Sequence, residues 1–278
     1  LGILKEGDLI TSQNLAKFEP PDAGIRTGTM SLKRLNLTDF GCYDFARFEV
    51  DPRPIVLTGP NGAGKTNVLE AVSFLAPGRG LRTARLADVG RRNSSARSVS
   101  EDFAPRSWAV AAQLAWDGVT VDIGTGLELA NEEAARDRRV IKIDGEAGKS
   151  QTDLGRLTGA LWLTPQMDRL FLEGASGRRR FLDRVILGLH PDHGGSVSAY
   201  DHSMRGRNKL LKYGSGDGEW LDSVEDSMAR HGVAVAVRRI ETVRSLGEMA
   251  AGDDGPFPGA DLSMKGRLES WLDGMSAL

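Results

Sequence analysis

The chain has 278 residues, of which 40% are hydrophobic and 27% charged, and its 36 basic and 38 acidic side chains leave a net charge of −2. That length holds one large domain, or a domain with a substantial second lobe, and the polarity excludes a membrane-embedded protein. No apolar run approaches the ~18 residues of a membrane span, and the single cysteine, Cys42, excludes an internal disulfide, a CxxC pair and a cysteine-built zinc site.

Residues 1–29 lack periodicity and carry the breaker run Glu19-Pro-Pro-Asp-Ala-Gly24, so they read as a loose extension. They contain no basic start followed by an apolar stretch, hence no secretory signal, and a reducing cytoplasm is the expected compartment. The globular part is expected to begin at Met30, which is also the expected natural start. Leu32, Leu35 and Leu37 alternate with Lys33, Arg34 and Asn36, and Phe45 to Val50 resume the alternation after a turn at Gly41, which predicts a leading strand pair. Ile55-Val-Leu-Thr58 reads as a short buried strand.

The next eight residues are Gly59, Pro60, Asn61, Gly62, Ala63, Gly64, Lys65 and Thr66, a match to GxxxxGK[ST]. The pattern predicts an ATP site. Glycines let successive backbone N–H groups point at a phosphate, and the following helix adds its positive dipole end. Lys65 would reach the β- and γ-phosphates, and the Thr66 hydroxyl would sit on Mg²⁺. Val68, Leu69, Ala71, Val72 and Leu75 then predict a helix over 67–75, closed by Pro77 and Gly78. No NKxD-like guanine-reading motif follows, which argues against a GTPase.

Trp108 to Trp116, Val119 to Ile123 and Val140 to Ile143, around Asp117-Gly118 and Asp144-Gly145, predict a β-meander. Gly177 to Leu189, Ser198 to Lys212 and Trp220 to Leu246 predict helices. The expected organisation is therefore an α/β P-loop domain over 30–175 and a mostly helical second lobe over 176–278. His190 and His193 flank a proline with no third ligand nearby, and a metal site is not expected there.

Basic residues cluster at Arg82, Arg85, Arg91, Arg92 and Arg97, against the single acid Asp88, and again at Arg178 to Arg180 and Arg205 to Lys212. Each cluster is either a solvated face or a surface for phosphates.

Met30-Ser-Leu-Lys-Arg-Leu-Asn-Leu-Thr-Asp-Phe40, Thr66-Asn-Val-Leu-Glu-Ala71, Gly80-Leu-Arg-Thr83, Thr164-Pro-Gln166 with Gly177-Arg-Arg-Arg-Phe-Leu-Asp183, and Arg207-Asn-Lys-Leu-Leu-Lys212 follow one another in order. Together they resemble the RecF family of bacterial DNA-repair ATPases, relatives of the SMC type. The resemblance implies an ABC-type ATPase core, and binding of gapped or double-stranded DNA with little sequence preference. It also implies an ATP-dependent homodimer, and partnership with RecR and RecO in directing RecA onto gapped DNA. Under it, Gln166 is either a γ-phosphate sensor or a loop-exposed polar residue. Arg178 and Arg179 serve either packing beside Phe181 and Leu182, or an interface or DNA. Arg82, Arg85, Arg91 and Arg92 become candidate phosphate contacts.

The sequence departs from that family in three places. Phe40-Gly-Cys42 stands where the family has Phe-Arg-Asn, and neither a Ser-x-Gly-Gln signature nor a Walker B segment ending in Asp-Asp or Asp-Glu occurs before Leu278. The chain is thus expected to be truncated, to lack a central strand beside the P-loop, and to turn over ATP weakly or not at all. Two other readings stay open: an ATPase subunit of a transporter, and an inactive remnant serving as an interaction module.

Overall fold

The computed structural model describes residues 30–91, 107–116, 119–129, 137–214, 218–251 and 258–273. The chain divides into two compact units between Trp162 and Leu163.

The first unit is built on a six-stranded sheet in the order β2-β1-β3-β4-β5-β6, antiparallel throughout. Its strands are β1 (Met30–Phe40), β2 (Tyr43–Glu49), β3 (Trp108–Trp116), β4 (Val119–Glu128), β5 (Arg138–Ile143) and β6 (Glu146–Ala147). Both the leading strand pair and the meander predicted from alternation are present. Along β3 and β4 every second side chain is buried, from Trp108, Val110, Ala112 and Leu114 to Val121, Ile123, Thr125 and Leu127, so one face of the sheet makes the core. The β5–β6 connection has Asp144 at φ 49 and Gly145 at φ 82. Two successive positive φ angles are what a tight two-residue hairpin needs, and Asp-Gly supplies them at low cost.

Helix α1 (Lys65–Ser73) covers that face. Val68 and Ala71 fall at helical spacing, and with Phe74 and Leu75 beyond the helix end they join the buried cluster with Leu35, Leu37, Phe40, Trp108 and Val110. The rings of Phe40, Phe74 and Trp108 meet at centroid distances of 5.0–6.0 Å. A short helix α2 (Leu86–Val89) is held at the edge of this core by the Trp108 indole, whose Nε1 donates to the Leu86 carbonyl at 2.7 Å. Helix α3 (Gln151–Leu157) starts at a reciprocal cap between Ser150 and Asp153, and the Gln151 Oε1 accepts from the Gly78 N–H at 2.7 Å.

The strand predicted at 55–58 is absent: these residues join no ladder, and Ile55 and Val56 are 45% and 54% exposed. A strand exists only when its N–H and C=O groups pair with a neighbour. Among the described residues no strand pairs with this segment. Leu161 of this unit is likewise exposed.

The P-loop helix is clamped at its far end. Arg139 on β5 sends its guanidinium to the carbonyls of Gly78 (2.6 Å), Phe74 and Ala76 and to Thr125 Oγ1 (2.8 Å), while lying 5.3 Å over the Phe74 ring. Burial pushes its pKa down to about 10, still far above neutrality, so the group stays charged. A cation at the carbonyl end complements the helix dipole, whose positive end is the P-loop.

The second unit is helical. It comprises a 3₁₀ turn (Pro165–Arg169), α4 (Ala175–Leu189), α5 (His193–Tyr213), α6 (Gly218–Ala250) and α7 (Arg267–Asp273). Asp183 on α4 joins three of them: it accepts two hydrogen bonds from Arg239 of α6, at 2.8 and 2.7 Å, and pairs with His193 Nε2 of α5 at 3.0 Å. Further along, Arg207 donates to Glu225 at 2.6 Å, and a side chain at Gly232 would press on the Tyr200 ring at 3.1 Å, so α5 and α6 approach closely.

Candidate nucleotide-binding site

The loop Gly59–Lys65 turns through three glycines in positive-φ conformations, Gly59 (146°), Gly62 (84°) and Gly64 (89°). Gly64 is the N-cap of α1, no side chain caps the helix start, and its first turn carries no acid. The N–H groups there are thus left for an external anion, with the dipole in the same sense. Lys65 folds back over the loop, its Nζ donating to the carbonyls of Gly59 at 2.7 Å and Pro60 at 2.8 Å. The Ala63 N–H closes the turn onto the Pro60 carbonyl at 3.2 Å. Thr66 is exposed on the first helical turn.

The sequence marks Cys42 only as a departure from the family and gives no sign of Tyr43, yet both shape this loop from outside. A Cβ on Gly64 would lie 2.5 Å from the Tyr43 hydroxyl and 2.7 Å from the Cys42 Sγ. The turn between β1 and β2, with the start of β2, therefore presses against the P-loop at Gly64, where there is no side chain in the way. Gly64→Ala combines that collision with a left-handed backbone, and it is expected to cost about 2 kcal/mol of stability, read as a lowered thermal midpoint. Beside the loop opens a cavity of about 590 Å³, lined among others by Tyr43, Phe45, Leu57, Thr58, Lys65 and Arg91. A second, of about 530 Å³, flanks α1 and is lined by Gly41, Asn67, Glu70, Arg82, Asp88 and Arg91 together with neighbouring residues.

The candidate basic residues separate. Arg82 and Arg91 border the same cavity; Arg82 pairs with Glu70 at 3.3 Å and Arg91 with Asp44 at 3.4 Å. Arg85 is exposed at the start of α2, and Arg92 lies outside the described residues. In the second unit Arg178 donates to the Glu173 carbonyl at 2.7 Å, while Arg179 and Gln166 are exposed. Among the described residues no group of three or more His, Cys, Asp or Glu side chains is placed to hold a metal.

Residues 55–107 match the AAA domain family described as putative AbiEii toxin, Type IV TA system. The chain is 41% identical over 249 residues to the DNA replication and repair protein RecF of Mesorhizobium japonicum, covering 89% of this chain and 62% of that protein. For RecF of Agrobacterium fabrum the identity is 44% over 251 residues, covering 90% and 64%. Along this length the chain is similar to RecF proteins. It spans less than two thirds of the length of these RecF relatives. The solved structure of a recombination mediator protein RecF–ATPrS in the RecFOR pathway superposes with a TM-score of 0.64 at 20% identity, over 80% of this chain and 56% of that one. The corresponding RecF–ATP structure gives 0.62 at 21% identity. At that identity the RecF likeness bears on the fold, an ABC-type α/β ATPase core with its helical lobe.

Proposed function

We propose that this chain is the ATP-binding and lobe-bearing part of a RecF-type recombination protein. In this reading it binds ATP on Gly59, Pro60, Asn61, Gly62, Ala63, Gly64, Lys65 and Thr66, and DNA through arginine–phosphate contacts. The observation that carries it is the uncapped start of α1 behind three positive-φ glycines, with the Lys65 ammonium already turned over the loop. A triphosphate there replaces two neutral backbone carbonyls as the partner of Lys65, an ion pair in place of ion–dipole hydrogen bonds.

Magnesium fits the same place in a limited way. No carboxylate cluster is available among the described residues, so the ion would be held by the Thr66 hydroxyl, nucleotide oxygens and water, as magnesium tolerates. When bound, it would neutralise phosphate charge.

The proposed nucleic-acid contacts are Arg82, Arg85, Arg91, Arg92, Arg178 and Arg179, which would read phosphates and not base edges. Gapped or double-stranded DNA would then bind with little sequence preference and a steep salt dependence. Family likeness adds an ATP-dependent homodimer working with RecR and RecO. No helix among the described residues is long and apolar enough to cross a membrane.

The test is fluorescence anisotropy on the full chain with a fluorescent ATP analogue and with labelled gapped duplex, each across a salt series. Lys65→Ala is expected to weaken nucleotide binding about 30-fold, or ~2 kcal/mol, the scale of a charge-assisted contact. DNA affinity that is indifferent both to ATP and to Lys65→Ala would sink the idea of a nucleotide-controlled DNA binder.

A further inference from the structure

The cavity along α1 has a carboxylate at its base that the P-loop chemistry does not use. Glu70 is 3% exposed and follows Thr66 by one helical turn, on the same side of α1. One of its oxygens, Oε2, faces the Arg82 guanidinium at 3.3 Å, while Oε1 is buried with no hydrogen-bond partner. A buried charge with an unpaired oxygen is costly to keep. Burial raises its carboxyl pKa, more than the Arg82 charge and the Arg82 backbone N–H lower it, so the buried carboxylate works against stability near neutrality even with Arg82 beside it.

Arg82 itself is half-exposed, with a side-chain accessibility of 51% against 4% for Glu70. It comes from the loop after α1, whose position is set by the Leu81 N–H donating to Ser73 Oγ at 2.7 Å and by a close fit of Gly80 against the Phe74 ring. One edge of the guanidinium is thus tied to the P-loop helix and the remainder borders the cavity, alongside the Asn67 side chain and Arg91. Besides Glu70, Asp88 is the acid on this lining, and Arg91 there pairs with Asp44 at 3.4 Å. A planar guanidinium fixed along one side is suited to meet a phosphate oxyanion with the other.

We propose that Glu70 is a positioning residue: it holds Arg82 against α1 so that the guanidinium receives a phosphate oxyanion in the cavity beside the P-loop. That phosphate belongs either to the nucleotide or to the DNA backbone, and for the nucleotide the inference rests on the reading given above.

Glu70→Gln keeps the shape and removes the charge; Arg82→Ala removes the contact. Both variants and the double variant of the full chain are titrated with a fluorescent ATP analogue and with labelled gapped duplex, with thermal melts beside them. Each single change is expected to weaken the same probe about ten-fold, and the pair together no further, since one residue acts through the other. The probe that weakens names the source of the phosphate. E70Q should melt no lower than the parent chain. Unchanged binding of both probes in R82A, additive losses in the double variant, or an E70Q that melts lower would each overturn the proposal. Lys65→Ala tests the nucleotide reading separately: binding that survives it refutes that reading and leaves the DNA arm standing.

Discussion

Replacing Arg139 by methionine is expected to lower the stability of the first unit by about 3 kcal/mol, followed as urea unfolding by the fluorescence of the buried Trp108 and Trp116. The guanidinium satisfies carbonyls of Phe74, Ala76 and Gly78, just beyond the last turn of α1, and reaches the sheet through Thr125. Methionine matches much of its volume but leaves those acceptors in the protein interior without donors, and the loss of each buried partner costs about 1–3 kcal/mol. Lysine is not a substitute: a single ammonium on a flexible stem does not span carbonyls and a hydroxyl in the way a planar fork does. Arg139→Lys should therefore recover less than half of the loss. A change below about 1 kcal/mol for the methionine variant would mean that the clamp is replaced by solvent.

The second unit should respond as strongly at Asp183. Asp183→Ala leaves Arg239, whose side chain is 14% exposed, as an uncompensated charge, and removes the partner of the buried His193. The expected loss is about 3 kcal/mol, seen as an early, separate transition in the helical circular-dichroism signal. Asp183→Asn should fall between the two. The sign of the pH dependence follows from the same contacts. Burial alone would raise the Asp183 carboxyl, but hydrogen bonds from His193 and Arg239, and then their charges, outweigh it and hold the pKa below the ordinary value. A depressed folded pKa contributes stability above the unfolded value of ~3.9, and that stability drains as pH falls through the folded one. The parent chain should thus lose helical stability below about pH 4, and Asp183→Asn should lose less of it over the same interval.

Much of this structure was legible in the residues because local patterns carry it. Alternation placed β1 to β5, helical spacing placed the long helices of the second unit, and the glycine-lysine pattern placed the P-loop. The strand at 55–58 failed for a reason side-chain pattern cannot encode: Ile55 and Val56 have the right side chains, but a ladder is made with a neighbour, and no strand among the described residues pairs with this segment. Arg139 was hidden because its partners are backbone carbonyls more than sixty positions away, which leave no mark in side-chain identity. Glu70 was visible as a letter of the helix motif. Its burial was not, since nothing in a sequence distinguishes a solvated helix glutamate from one covered by a later loop. Asp183 was seen within Phe-Leu-Asp, while its role awaited Arg239 and His193 from other helices.

The contact of Cys42 and Tyr43 with Gly64 bears on how such sequences can vary. The first β-turn and the phosphate loop share one small volume, so a larger group at either place is admissible only when the other yields. Substitutions at 42, 43 and 64 should thus be inherited as compatible sets. A graft of the octapeptide alone into another scaffold would arrive without the wall that shapes it.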